Sequence, residues 1–404
     1  MKQLNFPEKL LKLAIVSSHP VQYNAPWFRL LSEMKRHDIK VFYTWSQTEQ
    51  GVKFDPGFDR EVEWDVPLLE GYNYEFVENI AKDPGTHHFQ GIDNPGLTKT
   101  INSWKPDAIL VFGWSFKSHL KCLRYYHGKI PVIFRGDSTL LDEKNGLKTS
   151  ARRIFLHWVY SFVDYALVAG SNNKNYFLTH GMTESSLVLA RHAIDNERFG
   201  GPDTEYANNA RLWRNKLDIQ PDDFVILFAG KFEKKKNPLF LLTIAEAIKS
   251  PQFKFLFVGN GEMESIIKAK ASTDSRIRVL DFQNQTDMPV VYRMANLFVL
   301  PSVGPGETWG LALNEAMACG IPVMASQKTG GAIDLISEGI NGIIIDLNNP
   351  ERSFSYIEQL HADSQLYKCT AAANRQKVRQ FSFQAIVDNI NSLLDHIKNN
   401  HAGN

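Results

Sequence analysis

Residues 299–326 read VLPSVGPGETWGLALNEAMACGIPVMAS. An apolar strand (296–301) runs into Pro301, and a Gly/Pro-rich loop follows from Ser302 to Gly306. The pattern then predicts a helix from near Trp309 to about Cys319, with Gly320 as its stop. IPVMAS (321–326) is a second apolar run. Continuous apolar runs without polar alternation mean burial on both faces, as in a parallel sheet covered by helices.

The same grammar extends in both directions. Upstream strand candidates are LKLAIVSS (11–18), IKVFYTW (39–45), DAILVFG (107–113), PVIFRG (131–136), DYALVAG (164–170) and SLVLAR (186–191). A second series comprises DFVILFAG (223–230), FKFLFVG (253–259), IRVLDF (277–282), NLFVLP (296–301), IPVMAS (321–326) and GIIID (342–346). Amphipathic stretches at 25–36, 117–127, 149–162, 171–180, 238–249, 262–271 and 309–319 separate them. Strand–helix alternation twice over predicts an α/β protein of two doubly wound, Rossmann-like parallel-sheet domains facing a central cleft. The boundary is expected near Gly200-Gly201-Pro202, where the pattern resets, giving domains of 1–200 and 201–382. Residues 383–399 form a final amphipathic helix. A chain of 404 residues suits two such domains.

Composition excludes several classes. Lys+Arg number 45 against 44 Asp+Glu, which disfavours bulk electrostatic binding of nucleic acid. Cys122, Cys319 and Cys369 are far apart, without metal-ligand or disulfide spacing, so no structural metal is expected and a reducing environment fits. No apolar run reaches the roughly 18–20 residues of a membrane span. Leu11 to Ser18 reads as a first strand and not as a signal peptide, which places the protein in the cytoplasm.

The loop opening the 309–319 helix presents free backbone N–H groups at a positive dipole end, an anion site suited to phosphate. Glu307 and Glu315 bracket it, with seven residues between them. With a start at Trp309, Glu315 lies roughly 9 Å along the axis. Carboxylates at two depths around an anion site suit a ligand with hydroxyls at both ends and phosphate between, as in a nucleotide sugar. FAGKFEKKKNP (228–238) adds Gly230, Lys231 and Lys234 to Lys236 after a buried strand, where cations can neutralise a diphosphate. FVGNGEMES (257–265) is a strand, a glycine turn at Gly259 and a helix, but lacks the complete dinucleotide fingerprint. LDFQNQTDM (280–288) offers a strand-to-loop edge, with Phe282 and Gln283, where backbone groups could meet a base.

GKFEKKKNP, VGNGE, FQNQTDMPVVYRMANLFVLPS and GETWGLALNEAMACGIPV occur in unbroken order over residues 222–346. Together they resemble the retaining GT-B glycosyltransferases, specifically glycosyltransferase family 4. The resemblance implies that the C-terminal domain holds a nucleotide-sugar donor and that the last helix (383–404) crosses back onto the N-terminal domain. It also implies roles. Lys236 falls at the diphosphate-binding lysine, and Lys231 stands where the family usually has arginine. Glu307 falls at the glutamate holding the donor sugar, and Glu315 at the one holding the ribose hydroxyls. Gly310 and Leu311 offer N–H groups to phosphate, with Thr308 and Trp309 beside them. SSHPVQYNAPWFR (17–29), EWDVPLLEGYNY (63–74) and FRGDS (134–138) resemble a narrower group of envelope-polysaccharide transferases. The family's glycine-rich loop is replaced by His19-Pro20-Val21-Gln22-Tyr23, and His119 lies too far down its helix to stand in for the histidine often found after the fourth strand.

Acceptor-side candidates are His19, Gln22, Tyr23, Arg135 and Asp137. His19 could touch donor phosphate or acceptor, or cap the adjacent helix; Arg135 and Asp137 could pair with each other. Lys234 and Lys235 read as solvated, His87 and His88 as exposed, and Trp158 as core. The basic, aromatic stretch 146–162 is a candidate for contact with an anionic membrane carrying a lipid-linked acceptor. The expected activity is transfer of a sugar from a UDP- or GDP-sugar to a glycan or lipid-linked glycan hydroxyl, in lipopolysaccharide- or capsule-type synthesis. No D-x-D occurs in the chain, so no metal cofactor is expected. The competing readings are a nucleotide-sugar epimerase and a non-catalytic nucleotide-sugar-binding partner subunit. The epimerase would need acid/base residues around the sugar, and no such set is found.

Overall fold

The computed structural model describes residues 10–46, 52–55, 60–201 and 203–402. Residues 1–9, Pro202 of the expected boundary, and 403–404 of the last helix lie outside the described residues. The N-terminal part runs β1 (Lys12–Ser17), α1 (Ala25–Glu33), β2 (Asp38–Tyr43), β3 (Val52–Asp55), β4 (Arg60–Glu63), β5 (Asn73–Phe76), α2 (Leu97–Trp104), β6 (Ala108–Phe112), α3 (Lys117–Tyr126), β7 (Val132–Arg135), α4 (Leu147–Tyr160), β8 (Tyr165–Val168), α5 (Ser171–Thr179), β9 (Leu187–Leu189) and α6 (Asn196–Gly200). Then follow α7 (Asp203–Lys216), β10 (Phe224–Ala229), α8 (Leu239–Ala247), β11 (Phe253–Val258), α9 (Glu264–Ala271), β12 (Ile277–Leu280), α10 (Met288–Arg293), β13 (Leu297–Leu300), α11 (Leu311–Ala318), β14 (Val323–Ser326), α12 (Ala332–Leu335), β15 (Gly342–Ile345), α13 (Glu351–Ala362), α14 (Ser364–Val378) and α15 (Phe383–Ala402).

Each apolar run read as a strand forms one, and they assemble into two parallel sheets. The first has the order β5-β2-β1-β6-β7-β8-β9 and the second β12-β11-β10-β13-β14-β15. In both, the first strand of the series is central and the order reverses beside it, between β1 and β6 and between β10 and β13. Such reversals open crevices beyond the carboxyl ends of the strands. The antiparallel β3–β4 pair and the edge strand β5 were not expected; NYEF of β5 is short and half-exposed, without a buried strand's apolar run. Helices α2, α6, α7, α10, α12, α13 and α14 were also not expected. In α7, DTEYANNARLWRNK is mostly polar and shows no clear apolar stripe.

The inner strands of each sheet are buried on both faces, as continuous apolar runs require, whereas the edge strands β5, β9 and β12 are partly exposed. Helix α15 completes the N-terminal core. Ile386, Val387, Ile390 and Leu394 recur at helical spacing and pack in one cluster with Leu13 and Ile15 of β1 and Trp27 and Phe28 of α1. Asn389 donates to the Leu189 carbonyl (2.8 Å), and Arg36 pairs with Asp395 (2.5 Å).

His119 of α3 is wholly buried. Its Nδ1–H donates to the Phe112 carbonyl (2.7 Å), which leaves Nε2 to accept from the Thr44 hydroxyl (2.9 Å). This is a neutral imidazole fastening α3 to the ends of β2 and β6. Burial pushes it down to about 4. The unfolded chain, with an ordinary histidine near 6.5, then binds more protons between those values. His119 therefore stabilises the fold above about pH 6.5, and that contribution is lost as pH falls toward 4.

Two measurements check this packing. Leu394→Ala is expected to cost about 2–5 kcal/mol, read as a lowered urea midpoint. Urea midpoints are also expected to fall between pH 7 and pH 4.5, and His119→Gln should show a shallower dependence than wild type.

Candidate active site in the interdomain cleft

The loops after β10 and β13 are stitched together. Asn237, at φ +54, donates from Nδ2 to the Pro301 carbonyl (3.2 Å), and Val303 N–H donates to the Lys235 carbonyl (2.8 Å). This stitching sets Lys236 Nζ 2.5 Å from Glu307 Oε2, which Ser302 Oγ also approaches (3.3 Å). Glu307 is only 7% exposed, so its charge is matched by a lysine rather than by water. A third loop, after β11, comes close enough to demand glycine. Gly259 has φ +140, and a Cβ there would lie 2.0 Å from the Gly230 carbonyl oxygen.

Helix α11 starts at Leu311, not at Trp309 as expected. Gly310 at φ +92 breaks helical geometry, and Trp309 turns inward: its indole donates to Asn314 (2.8 Å) and packs on Phe381 and His192. Gly310, Leu311 and Ala312 line the cleft, so the free N–H groups of the first turn open onto it. From Leu311, Glu315 lies about 6 Å along the axis, four residues at 1.5 Å each. It is not on a solvated helix face, because it is 4% exposed. Its two oxygens accept from tyrosines on opposite walls: Tyr292 of α10 (2.8 Å) and Tyr23 of the N-terminal domain (3.0 Å). Burial pushes the Glu315 carboxyl above the usual carboxylate range, while the two hydrogen bonds work against that rise.

These groups line one cleft of about 450 Å³ between the sheets. The structure gathers Gly230, Lys231, Lys236, Gly259, Phe282, Gln283, Glu307, Thr308, Trp309, Gly310, Leu311 and Glu315 there, with Gln22, Tyr23 and Asp137 from the facing domain. The Phe282 N–H donates to Asn260 (2.8 Å). His19 and Arg135 are not in the lining. His19 lies beside Ser18 (2.9 Å) and edge-on to Trp45. Arg135 is buried behind the wall; it donates to the Ala190 carbonyl (2.9 Å) instead of pairing with Asp137. Asp137 accepts from Thr308 Oγ1 across the cleft (2.9 Å).

Three other expectations are settled. Lys235 is half-buried and lines the cleft, because its loop is pinned by Val303, whereas Lys234 is exposed. Trp158 is 41% exposed on α4, since Leu156, Val159 and Tyr160 supply that helix's buried face. His87 and His88 lie on the surface beside Asp83 (3.1 and 3.4 Å).

Trp64, His192, Gln285, Met288 and Tyr292 also line the cleft and were missed. Tyr292 sits in VVYRM of α10, a helix the sequence pattern did not predict. His192, in LARHAIDNERF, follows β9 directly, and the carboxyl end of a strand was the available signal. Burial and the nearby Arg135 push His192 down to about 4, so it is neutral at pH 7.

Residues 209–377 match the family model described as glycosyl transferases group 1. Among curated relatives, a D-inositol 3-phosphate glycosyltransferase of Segniliparus rotundus is 29% identical over 186 residues, 44% of this chain and 41% of that protein. A UDP-Gal:alpha-D-GlcNAc-diphosphoundecaprenol alpha-1,3-galactosyltransferase of Escherichia coli is 27% identical over 217 residues, 52% of this chain and 54% of that protein. The chain thus spans about half the length of the curated relatives it matches. Among solved structures, Anabaena HepE in complex with UDP and glucose superposes with a TM-score of 0.69 at 16% identity, covering 96% of this chain and all of that one. WaaG, a glycosyltransferase involved in lipopolysaccharide biosynthesis, superposes at 0.64 and 13% identity, covering 94% of this chain and 99% of that one. Residues 209–377 are therefore similar to the group 1 glycosyl transferases, and the chain has a GT-B fold of two facing parallel-sheet domains.

Proposed function

We propose that this protein is a metal-independent retaining glycosyltransferase of the family 4 type. It moves a sugar from a UDP- or GDP-sugar to a hydroxyl of a glycan or lipid-linked glycan in envelope polysaccharide synthesis, at the cytoplasmic face of the membrane. One observation carries the reading: the Lys236–Glu307 ion pair stands at the N-terminus of α11, with Glu315 one turn further on, in a single cleft.

Bond breaking between the anomeric carbon and the diphosphate develops negative charge on the leaving oxygen. Lys236, Lys231 and the first N–H groups of α11 stabilise that charge as it forms. Glu307, with Oε2 held by Lys236, positions the donor sugar through Oε1. Glu315 takes the ribose hydroxyls. The acceptor hydroxyl attacks the anomeric carbon from the face the diphosphate leaves, and its proton passes to the departing phosphate oxygen. Asp137 and the neutral imidazole of His192 face this space from the other domain. The names of the relatives support the reaction class, and the UDP bound by HepE supports a nucleotide donor.

Thermal shifts against UDP, GDP and their sugars provide the first test. A ligand at 100 times its Kd adds about 2.7 kcal/mol, and one selective nucleotide response, weakened in Glu315→Ala, is expected. No response from folded wild type would overturn the reading. Lys236→Ala is expected to lower kcat by about 10²–10³-fold, as loss of one donor to a developing oxyanion does. Tyr23→Phe leaves Glu315 Oε1 unpaired, costing about 1–3 kcal/mol in the free protein. Ribose hydroxyls would restore that partner, so saturating UDP should shrink the difference between Tyr23→Phe and wild type.

A further inference from the structure

Among the described residues, one group of three metal-ligating side chains converges: Asp83, His87 and His88, whose ligand atoms all lie within 4.8 Å of one another. They sit on the loop between β5 and α2 of the N-terminal domain, and none of them lines the donor cleft. The glycosyl-transfer reading makes no use of them. The stretch DPGTHH (83–88) bends back on itself, so that residues four and five positions apart in sequence meet.

The loop is fastened across its base. Asn79 donates from Nδ2 to the Gly91 carbonyl (2.9 Å) and accepts at Oδ1 from the N–H groups of Ala81 (3.1 Å) and Asp93 (2.8 Å). Ile80 N–H donates to the Asp93 carbonyl (2.9 Å), and Gly85 N–H to the Gly91 carbonyl (3.0 Å). Two glycines make room for this closure. A Cβ on Gly91 would lie 2.2 Å from the Gly85 carbonyl oxygen, and a Cβ on Gly85 would lie 2.6 Å from His87 Nδ1. The His87 ring is therefore seated against the backbone of Gly85, and the cluster is carried on a tied frame. Its spacing suits a tetrahedral ion. His87 Nε2 lies 3.1 Å and His88 Nε2 3.4 Å from the same oxygen, Asp83 Oδ2. An ion with ligand bonds of about 2.0–2.1 Å sets neighbouring ligand atoms roughly 3.3–3.4 Å apart in a tetrahedron. His88 Nε2 is also 3.0 Å from the Asp83 carbonyl oxygen, to which it donates when it carries the proton. Ligation through Nε2 takes the other tautomer, with the proton on Nδ1.

We propose that Asp83, His87 and His88 bind one divalent transition-metal ion of the zinc class, with water in the fourth position. Two imidazoles and a carboxylate are the donor set of such ions, whereas Mg²⁺ and Ca²⁺ prefer oxygen throughout. The exposure of Asp83 and His87 leaves the open position to solvent. The ion cross-links positions 83, 87 and 88 and so braces the loop that follows β5; it is held apart from the diphosphate chemistry of the cleft. The inference does not depend on the glycosyl-transfer reading. The ligands are nitrogen and oxygen, so the spacing of the three cysteines carries no sign of them.

The test uses the full chain without a histidine tag, stripped with EDTA and returned to chelator-free buffer. Zn²⁺ and Co²⁺ are titrated by calorimetry, with visible absorption as a second readout for Co²⁺. One ion per chain is expected, with the visible bands of tetrahedral Co²⁺, and excess Mg²⁺ should not displace it. His87→Ala, His88→Ala and Asp83→Asn should each weaken Zn²⁺ binding at least tenfold. His396→Ala, at an exposed histidine of α15, should leave it unchanged. Zn²⁺ should raise the Tm of wild type and not that of the His87→Ala, His88→Ala double variant. Equal urea midpoints of variants and wild type in EDTA separate lost ligation from lost folding. Absence of one-to-one binding by wild type would overturn the proposal. So would equal Zn²⁺ affinity in wild type and the double variant, or displacement of Zn²⁺ by Mg²⁺.

Discussion

A parallel strand cannot be followed directly by its neighbour; the chain must cross back along the sheet, so every strand carboxyl end collects on one edge. The rest of this molecule depends on that constraint. In the C-terminal sheet the edge brings together the loops after β10, β11 and β13, which lie apart in sequence. They approach so closely that Gly259 cannot carry a side chain and Asn237 must spend its amide on the Pro301 carbonyl. The Lys236–Glu307 pair is a consequence of this convergence.

Once gathered, the acidic groups set a second requirement. A carboxylate removed from water must find a partner, or its charged form becomes costly. Glu307 finds an ammonium, and Glu315 finds two hydroxyls, one from each domain. The Tyr23–Glu315 bond therefore couples the cleft's chemistry to the relation between the domains. Other contacts close the same gap: Asp65 with Thr286 N–H (3.1 Å), Asp142 with Gly306 N–H (2.8 Å) and Ser171 with Asp334 (2.6 Å). Most are exposed polar bonds, individually worth little against water. Among the described residues the cleft is held by exposed polar contacts and a few part-buried ones, Tyr23–Glu315 and Asn172 with the Gly330 carbonyl among them, an arrangement suited to opening for a ligand. Helix α15 acts differently, since its apolar face is built into the N-terminal core and ties the chain's end to that domain.

Local sequence determined the strands, because a strand buried on both faces must be apolar throughout, and that pattern needs no partner to be recognised. It also marked residues that line the cleft, which sit in short runs beside strand ends: Lys231 and Lys236, and Glu307 and Glu315 with the residues that open α11. Polar helices such as α7 and the half-exposed β5 were not legible, since their stability comes from neighbours and not from a stripe of their own. Tertiary structure alone decided which wall each side chain faces. It turned Trp309 inward and started α11 two residues later, sent Arg135 behind the cleft, and left Trp158 outside. It brought Tyr23 to Glu315 across 292 positions and His192 beside Trp309. Those pairings depend on how the two sheets dock, and no local periodicity encodes the distance between them.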